Sequence, residues 1–549
     1  MLNKDLFYPK YRTNNLPLQP ICIKKYFLDK MINLKNVCLS VFMTASAIAA
    51  NAGGLLTNTN QNIAFNRMMS REASIGIDGV YYNPAGVAFM KEGHHLSINL
   101  QTAWQTRTID NSYAFFNYNA NEPSADRTFK GKAFAPVIPS FQYAYNKGKW
   151  SFQANFALTG GGGKCKFDDG LGSFERVVAN IGFLGNSLAP YLGGMLPTNP
   201  NIANPATGQM GGYAYTYESF MRGRQYYYGL SAGAAYRIND NLSVFAGLRG
   251  VYATCNYYGY VKNIAFVGAN GAKLPLSTIV DSNDPESSDI KLNTDQNGYG
   301  FTPILGIDYK VGKWNFSAKY EFKTHLCLVN QGTVITPVTK LNNIGANLAA
   351  AGVPVQVLQA IAPSINQAKE NINELIAEYD PDQNHKDAGD IPALLTLGVG
   401  YSPIDALRIN VGFHWFDDKN ATSGYNWTKA DGSKERVDRH KMLKRGTLEY
   451  NAGAEYDINK AVTVSAGWQS TNYGLSEESM EDKSFVVSSN SVGLGTKIQL
   501  SDKMALNVAY FHTFYKHKKT TEKVSEQLNY TADYTRNNDV FGIGLDIDF

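Results

Sequence analysis

The sequence predicts an all-β fold, a 14-stranded antiparallel transmembrane β-barrel with an N-terminal segment inside its lumen, and three observations carry that prediction. Segments of two-residue alternation recur from Leu96 to the end; very short polar turns alternate with long links; and the chain closes an alternating run on an aromatic, Phe549. Composition agrees: of 549 residues 44% are hydrophobic and 12% aromatic, with 34 Tyr, 28 Phe and 50 Gly. Only alternate residues of a barrel strand touch lipid, so modest hydrophobicity with many aromatics is the expected balance. A net charge of +4 without any Lys/Arg block gives no reason to expect nucleic acid as a partner.

Residues 1–52 read as a leader. Met31-Ile-Asn-Leu-Lys35-Asn is mildly basic, Val37 to Ala50 is apolar, and Ala50-Asn51-Ala52 is a small-x-small cleavage pattern. The apolar run is shorter than the roughly 20 residues that span a bilayer as a helix. The stretch before Met31 has neither character, so Met31 is expected to be the true start and Gly53 the first mature residue. Cys22 and Cys38 fall in the removed part. Cys165, Cys255 and Cys327 are odd in number, far apart and in no Cys-x-x-Cys pair, so free thiols are expected, with no metal and no cofactor.

The strands follow from periodicity. Leu407, Ile409, Val411, Phe413 and Trp415 face one way against Arg408, Asn410, Gly412 and His414. Trp314 to Phe322, Leu448 to Tyr456 and Phe541 to Phe549 repeat the pattern, one face apolar and the other polar or glycine. Tight turns occur at Asn146–Lys149, Asn239–Asn241, Lys310–Lys313, Ser402–Asp405, Asp457–Lys460 and Ser501–Lys503. Tyr145, Tyr236, Tyr309, Tyr401 and Tyr456 stand at or near the preceding strand ends, as an aromatic belt requires. Long links run through Gly160–Met221, Gly259–Gln296 and Cys327–Asp390. Six hairpins, an opening strand near Leu96–Arg107 and a closing strand Val540–Phe549 make fourteen. The barrel is expected over residues 95–549.

Residues 53–94 do not alternate, yet carry Leu55, Leu56, Ile63, Phe65, Met68, Met69, Ile75 and Ile77, which need burial. A plug inside the barrel provides it. Here Asn83-Pro84-Ala85-Gly86, just ahead of the first strand, resembles the hatch motif of the FadL/TodX family, outer-membrane transporters of long-chain fatty acids and aromatic hydrocarbons. The glycine runs Gly160–Gly163 and Gly170-Leu-Gly-Ser-Phe174 also look like that family after its third strand.

The resemblance implies fourteen strands, a luminal hatch, and passive uptake of a hydrophobic molecule with lateral exit at a kink in the third strand. Gly160, Gly161, Gly162 and Gly163 are the lateral-opening candidates; a flexible loop start is the other reading of the run. Ligand-contact candidates are Leu55, Leu56 and Phe65 from the hatch, with Arg249, Lys319, Arg408 and Lys497 on the polar strand phases as carboxylate partners. Luminal acids such as Glu321, Glu449, Glu455 and Asp546 compete for those charges, and His414 joins the same network. Helical spacing from Leu341 to Tyr379, interrupted at Pro354 and Pro363, points to short external helices that either capture a ligand or cap the loops. The expected setting is the outer membrane of a Gram-negative bacterium, as a monomer amid phospholipid and lipopolysaccharide, inserted by the barrel assembly machinery. Alternatives are a porin for polar solutes or a haem-binding or adhesive surface protein; no catalytic cluster argues for an enzyme.

Overall fold

The computed structural model describes residues 55–119, 124–335, 342–350, 352–382, 384–429, 431–524 and 528–549. The leader, its cleavage site and Gly53 lie outside them, as does Leu341.

Fourteen long strands make the wall: β1 Gly93–Tyr113, β2 Asp126–Lys147, β3 Trp150–Phe167, β4 Ala214–Arg237, β5 Leu242–Val267, β6 Ile290–Val311 and β7 Trp314–Glu321. They continue as β8 Leu394–Ile404, β9 Leu407–Phe416, β10 Thr447–Asp457, β11 Val462–Asn472, β12 Ser489–Ser501, β13 Met504–Tyr515 and β14 Asn529–Asp548. Each pairs antiparallel with the next. The ring closes where β14 meets β1, from His95–Asp548 to Tyr113–Tyr530. Closure follows from backbone chemistry, since an unpaired edge in hydrocarbon leaves each N–H and C=O costing several kcal/mol. At the chain end Phe549 exchanges two backbone hydrogen bonds with His94 (2.8 and 2.9 Å) and stacks on its ring.

The tight hairpins fall where the turns predict them, but many strands overrun the predicted loops. β3 continues to Phe167, β4 starts at Ala214, and β5 and β6 reach Val267 and Ile290. The first strand likewise extends to Tyr113 and the last begins at Asn529. Glycine and tyrosine interrupt the alternation there, because this stretch of wall faces water outside and packed loops inside. β1 to β6 and β14 are 18–26 residues long, whereas β7 to β13 are 8–13. A crossing needs only about 9–11 residues, so one side of the wall stands well above the membrane. Short strands such as Cys327–Ile335 and Lys518–Lys523 build up the lower side by pairing with β6 and β14.

The two faces differ as the periodicity requires. Trp104, Phe134, Leu248, Phe316 and Trp468 are exposed, while Ser97, Asn99, Gln101, Glu449, Asn451 and Gln469 are buried. Such an inverted distribution suits a wall with oil outside and polar chain within. At the hairpin ends Trp314 stacks on Tyr401 with centroids 4.3 Å apart, and Trp150 packs on Tyr236 at 4.7 Å, forming part of an aromatic belt.

After two short turns ahead of the first strand, α1 (Ile63–Arg67) and α2 (Gly79–Tyr82), helices α3 (Gly172–Ser187), α4 (Ile344–Ala350) and α5 (Val355–Ala377) lie above the long-loop rim. The predicted break at Pro354 separates α4 from α5, but Pro363 interrupts nothing and sits inside α5. Burial of Ile361, Ile365 and Ile372 on one face of α5 offsets the hydrogen bond that the proline removes. Among the described residues Cys165, Cys255 and Cys327 form no disulfide.

Candidate functional site

Residues 55–92 are held inside the ring. Their two helical turns, Ile63–Arg67 and Gly79–Tyr82, are too short to stand alone, and many of the segment's polar groups reach inward strand residues. Asn62 Nδ2 donates to Gln142 Oε1 (2.9 Å), Arg67 Nη1 pairs with Glu455 (2.5 Å), and Asn315 Nδ2 donates to the Ala73 carbonyl (2.8 Å). Glu72, fully buried, accepts from Asn451 Nδ2 (2.7 Å) and pairs with His414 Nε2 (2.9 Å), whose Nδ1 meets Glu449 (2.8 Å). Arg71 joins Asp78 (2.7 Å) to Glu455 (3.1 Å). These bonds reach β2, β7, β9 and β10, on opposite sides of the ring.

The Asn83-Pro84-Ala85-Gly86 motif is an anchor. Asn83 Nδ2 donates to Asp308 Oδ2 on β6 (2.6 Å), and its Oδ1 accepts from Gly86 N–H (3.2 Å). Gln153 of β3 donates to the Pro84 carbonyl and Ser243 of β5 to that of Ala85, both at 2.7 Å. The motif thus ties the segment's last turn to three strands just before the chain enters β1.

Its first residues do something different. Between β2 and β3 the ladder is broken: Lys132 pairs with Lys166 and Phe141 with Phe156, with no β2–β3 pairing between those points. Two features open this seam. Pro136 and Pro139 have no N–H to donate. Gly161 and Gly163 take left-handed φ values of 93° and 68°, which turn the β3 backbone off register. Residues 56–61 take over the bonding that β2 leaves: Asn58 N–H donates to Thr159 O (3.0 Å) and Gly161 N–H to Leu56 O (2.9 Å). Gln61 Nε2 reaches Leu158 O (2.8 Å). A Cβ on Gly160 would lie 2.5 Å from Leu56 O, so the approach needs glycine there. The glycine run is therefore ordered wall and no loop start, because the segment supplies its partners. Pro136 and Pro139 escaped sequence analysis; proline inside an alternating run was the available signal.

The other predicted contacts are distributed more widely. Leu55 is half-buried, its N–H 3.4 Å from Asp418 Oδ1, a loop carboxyl whose burial pushes its pKa up to about 6. Phe65 sits in the core, stacked on Tyr82 at 5.3 Å. Arg249 and Lys319 come together on Glu321 (2.6 and 2.7 Å) beside Tyr81 and Pro84 of the segment, and both are already paired to that one acid. Arg408 pairs with Asp457 (2.7 Å) near a turn, and half-buried Lys497 adds its charge to the Glu455 cluster. Burial and an acid partner thus turn most of the expected head-group contacts into structural ion pairs.

Over the rim, α3, α4 and α5 enclose a cleft lined only by apolar side chains. Leu184, Leu188, Phe266, Ile279, Leu348 and Ile365 are among them, around about 500 Å3 counted to its open mouth.

Fold and site together define a closed 14-stranded transmembrane β-barrel, with its own N-terminal segment bonded across the lumen. A FadL homologue from Pseudomonas aeruginosa matches over 90% of this chain and 100% of its own, at 12% identity and a TM-score of 0.58. The Ralstonia pickettii toluene transporter TbuX matches over 86% and 94% at 16% identity (TM-score 0.44), and the Pseudomonas putida toluene transporter TodX over 90% and 100% at 13% (TM-score 0.46). No protein-family model and no curated protein matches the chain. The resemblance read from Asn83–Gly86 holds at the level of fold.

Proposed function

We propose that the protein is a passive channel of the Gram-negative outer membrane for hydrophobic small molecules, with residues 55–92 as its hatch. The observation that carries this reading is the β2–β3 seam, sealed by residues 56–61 of the hatch instead of by the neighbouring strand. A ligand collected in the apolar cleft passes down beside the hatch. When the hatch start withdraws, the seam is a side door into the membrane, flanked outside by exposed Phe134 and Val137. Lateral exit suits an apolar solute, since it avoids re-hydrating its surface at about 25 cal/mol per Å². The body of the hatch stays in place, held by its ion pairs and the Asn83 anchor. A water-filled porin is the poorer reading, because the hatch bonds across the lumen. The fold of the FadL homologue supports this assignment; fatty acid and aromatic hydrocarbon are both open as cargo.

The test is uptake of labelled oleate and toluene by cells carrying the full chain, a variant lacking Gly53–Met69, or an empty vector. Uptake of at least one compound above the vector control is expected with the full chain, and the deletion should change it. Full-chain uptake equal to the vector control for both compounds would end the proposal.

A further inference from the structure

On the outside of the wall the apolar band ends in aromatic rings, and basic side chains begin above them. Trp104 of β1 stacks on Phe134 of β2, with centroids 5.9 Å apart. On one rung of β4, β5 and β6, Tyr228 stacks on Tyr252 (6.4 Å) and Tyr252 on Tyr299 (4.8 Å). These rings mark the level where the wall leaves the oil. Lys132 is the next outward residue above Phe134. Arg224 stands two outward positions above Tyr228, about 10 Å higher on a tilted strand.

Lys130, Lys132, Lys164, Lys166, Arg222 and Arg224 all alternate outward at this height, the lysines exposed and the arginines half-buried. Lys132 lies directly opposite Lys166, Lys166 opposite Arg222, and Lys164 opposite Arg224. Like charges set opposite each other on neighbouring strands destabilise a bare sheet. Among the described residues Asp168 reaches Lys166 (3.6 Å) and Asp295 reaches Arg224 (3.8 Å), while no acid pairs with the other four. Arg222 instead donates to Asn256 Oδ1 (2.7 Å) and lies over the Tyr258 ring at 5.2 Å. To either side the same rungs carry Thr106 and Thr108 on β1 and Asn256, Tyr258 and Asn293 on β5 and β6. The unpaired positive charge is therefore gathered on β2, β3 and β4.

Water solvates a scattered lysine well, but like charges stacked across three strands over an oily band favour anions fixed at that height. Phosphates at a membrane surface meet the condition, since both guanidinium and ammonium groups bind them. Acyl chains below the phosphates would lie on exposed Phe134 and Leu230. Lys132 and Lys166 also form the rung beside which the β2–β3 ladder resumes above its gap, so a phosphate shared between them would brace the upper end of the seam.

We propose that this patch is a binding site for a phosphorylated glycolipid of the outer leaflet, its phosphates on Lys132, Lys166 and Arg222 and its acyl chains on the band beneath. The proposal rests on the membrane placement given above and adds a resident lipid to the outer wall, separate from any cargo.

Native mass spectrometry of the full chain in a non-ionic detergent decides it, with titrations of bis-phosphorylated lipid A, its dephosphorylated form and phosphatidylglycerol. Lipid A is expected to bind at least about tenfold more tightly than either other lipid. That preference should shrink in about 0.5 M salt, because exposed charges are screened. Lys132→Gln with Lys166→Gln and Arg222→Gln should remove it. Lys147→Gln with Lys460→Gln and Lys503→Gln, an equal charge lost from exposed lysines at the tight-turn end, should keep it. The site is overturned by equal affinity for either comparison lipid, by displacement with millimolar inorganic phosphate, or by a preference that survives the first triple variant. Uptake of oleate and toluene reports on the channel separately, so either reading can fall alone. Should the first triple variant fail to insert, the wild-type ratios are decisive by themselves.

Discussion

Two seams flank the β1–β2 hairpin, and they are closed by different means. β14 and β1 pair without interruption from His95–Asp548 to Tyr113–Tyr530. β2 and β3 share a ladder only at its two ends. In the first seam each strand satisfies its neighbour, so opening it would expose a row of backbone groups to lipid. In the second, Pro136 and Pro139 have removed donors, left-handed glycines have turned the chain, and hatch residues 56–61 complete the bonding. A wall sealed by a separate segment can open without tearing a strand pair. The hatch is divided along the same line. Its body is locked by buried ion pairs, while its start is held by uncharged hydrogen bonds from backbone and side chains and by one loop carboxyl.

The largest effect is expected from making the second seam like the first. Pro136→Thr and Pro139→Thr restore two donors, and Gly161→Val with Gly163→Val disfavours the left-handed turns. Hydrophobic uptake should then fall at least about tenfold while heat-modifiable migration on gels shows an intact barrel. Unchanged uptake would mean that the seam is not the exit.

Next comes the hatch body. Glu72→Ala strands His414 and Glu449 in the interior and should cost about 3–5 kcal/mol, the scale of a broken buried pair, read as a lower denaturant midpoint. If the loss is under about 1 kcal/mol, the body is not the locked part. Asn83→Ala removes neutral and charge-assisted bonds at the anchor, so a smaller loss of about 1–3 kcal/mol is expected by the same measurement, together with greater sensitivity of cells to a large polar antibiotic.

The smallest effect concerns the tether of the hatch start. Burial raises Asp418 to about 6 from an ordinary 3.8. The folded chain therefore holds the proton more tightly than the unfolded one. Its contribution to stability is fully present below pH 4 and is lost as pH rises through 6. Asp418→Asn should flatten that dependence and stabilise the barrel at pH 7 by about 1 kcal/mol, seen as a melting temperature that no longer drops between pH 4 and 7. A wild-type melting temperature flat across that window would sever Asp418 from the hatch start.

Sequence alone determined the period-two faces, the tight turns and the number of strands, because each is written in neighbouring residues; Asn83–Gly86 stood out by a family resemblance, and its anchoring partners Asp308, Gln153 and Ser243 came only with the structure. Sequence also singled out the glycines at 160–163, although half of the same opening, Pro136 and Pro139, went unread. Tertiary structure alone decided which luminal charges are spent. Arg249, Lys319 and Arg408 alternate onto the inner face just as Arg107 and Arg536 do, yet Glu321, Glu455 and Asp457 pair with the first three and with neither of the last two. Periodicity assigns a side chain to a face, whereas the partner across the lumen depends on ring closure and on the height at which the hatch docks. Those are contacts between residues hundreds of positions apart, and no local pattern encodes them.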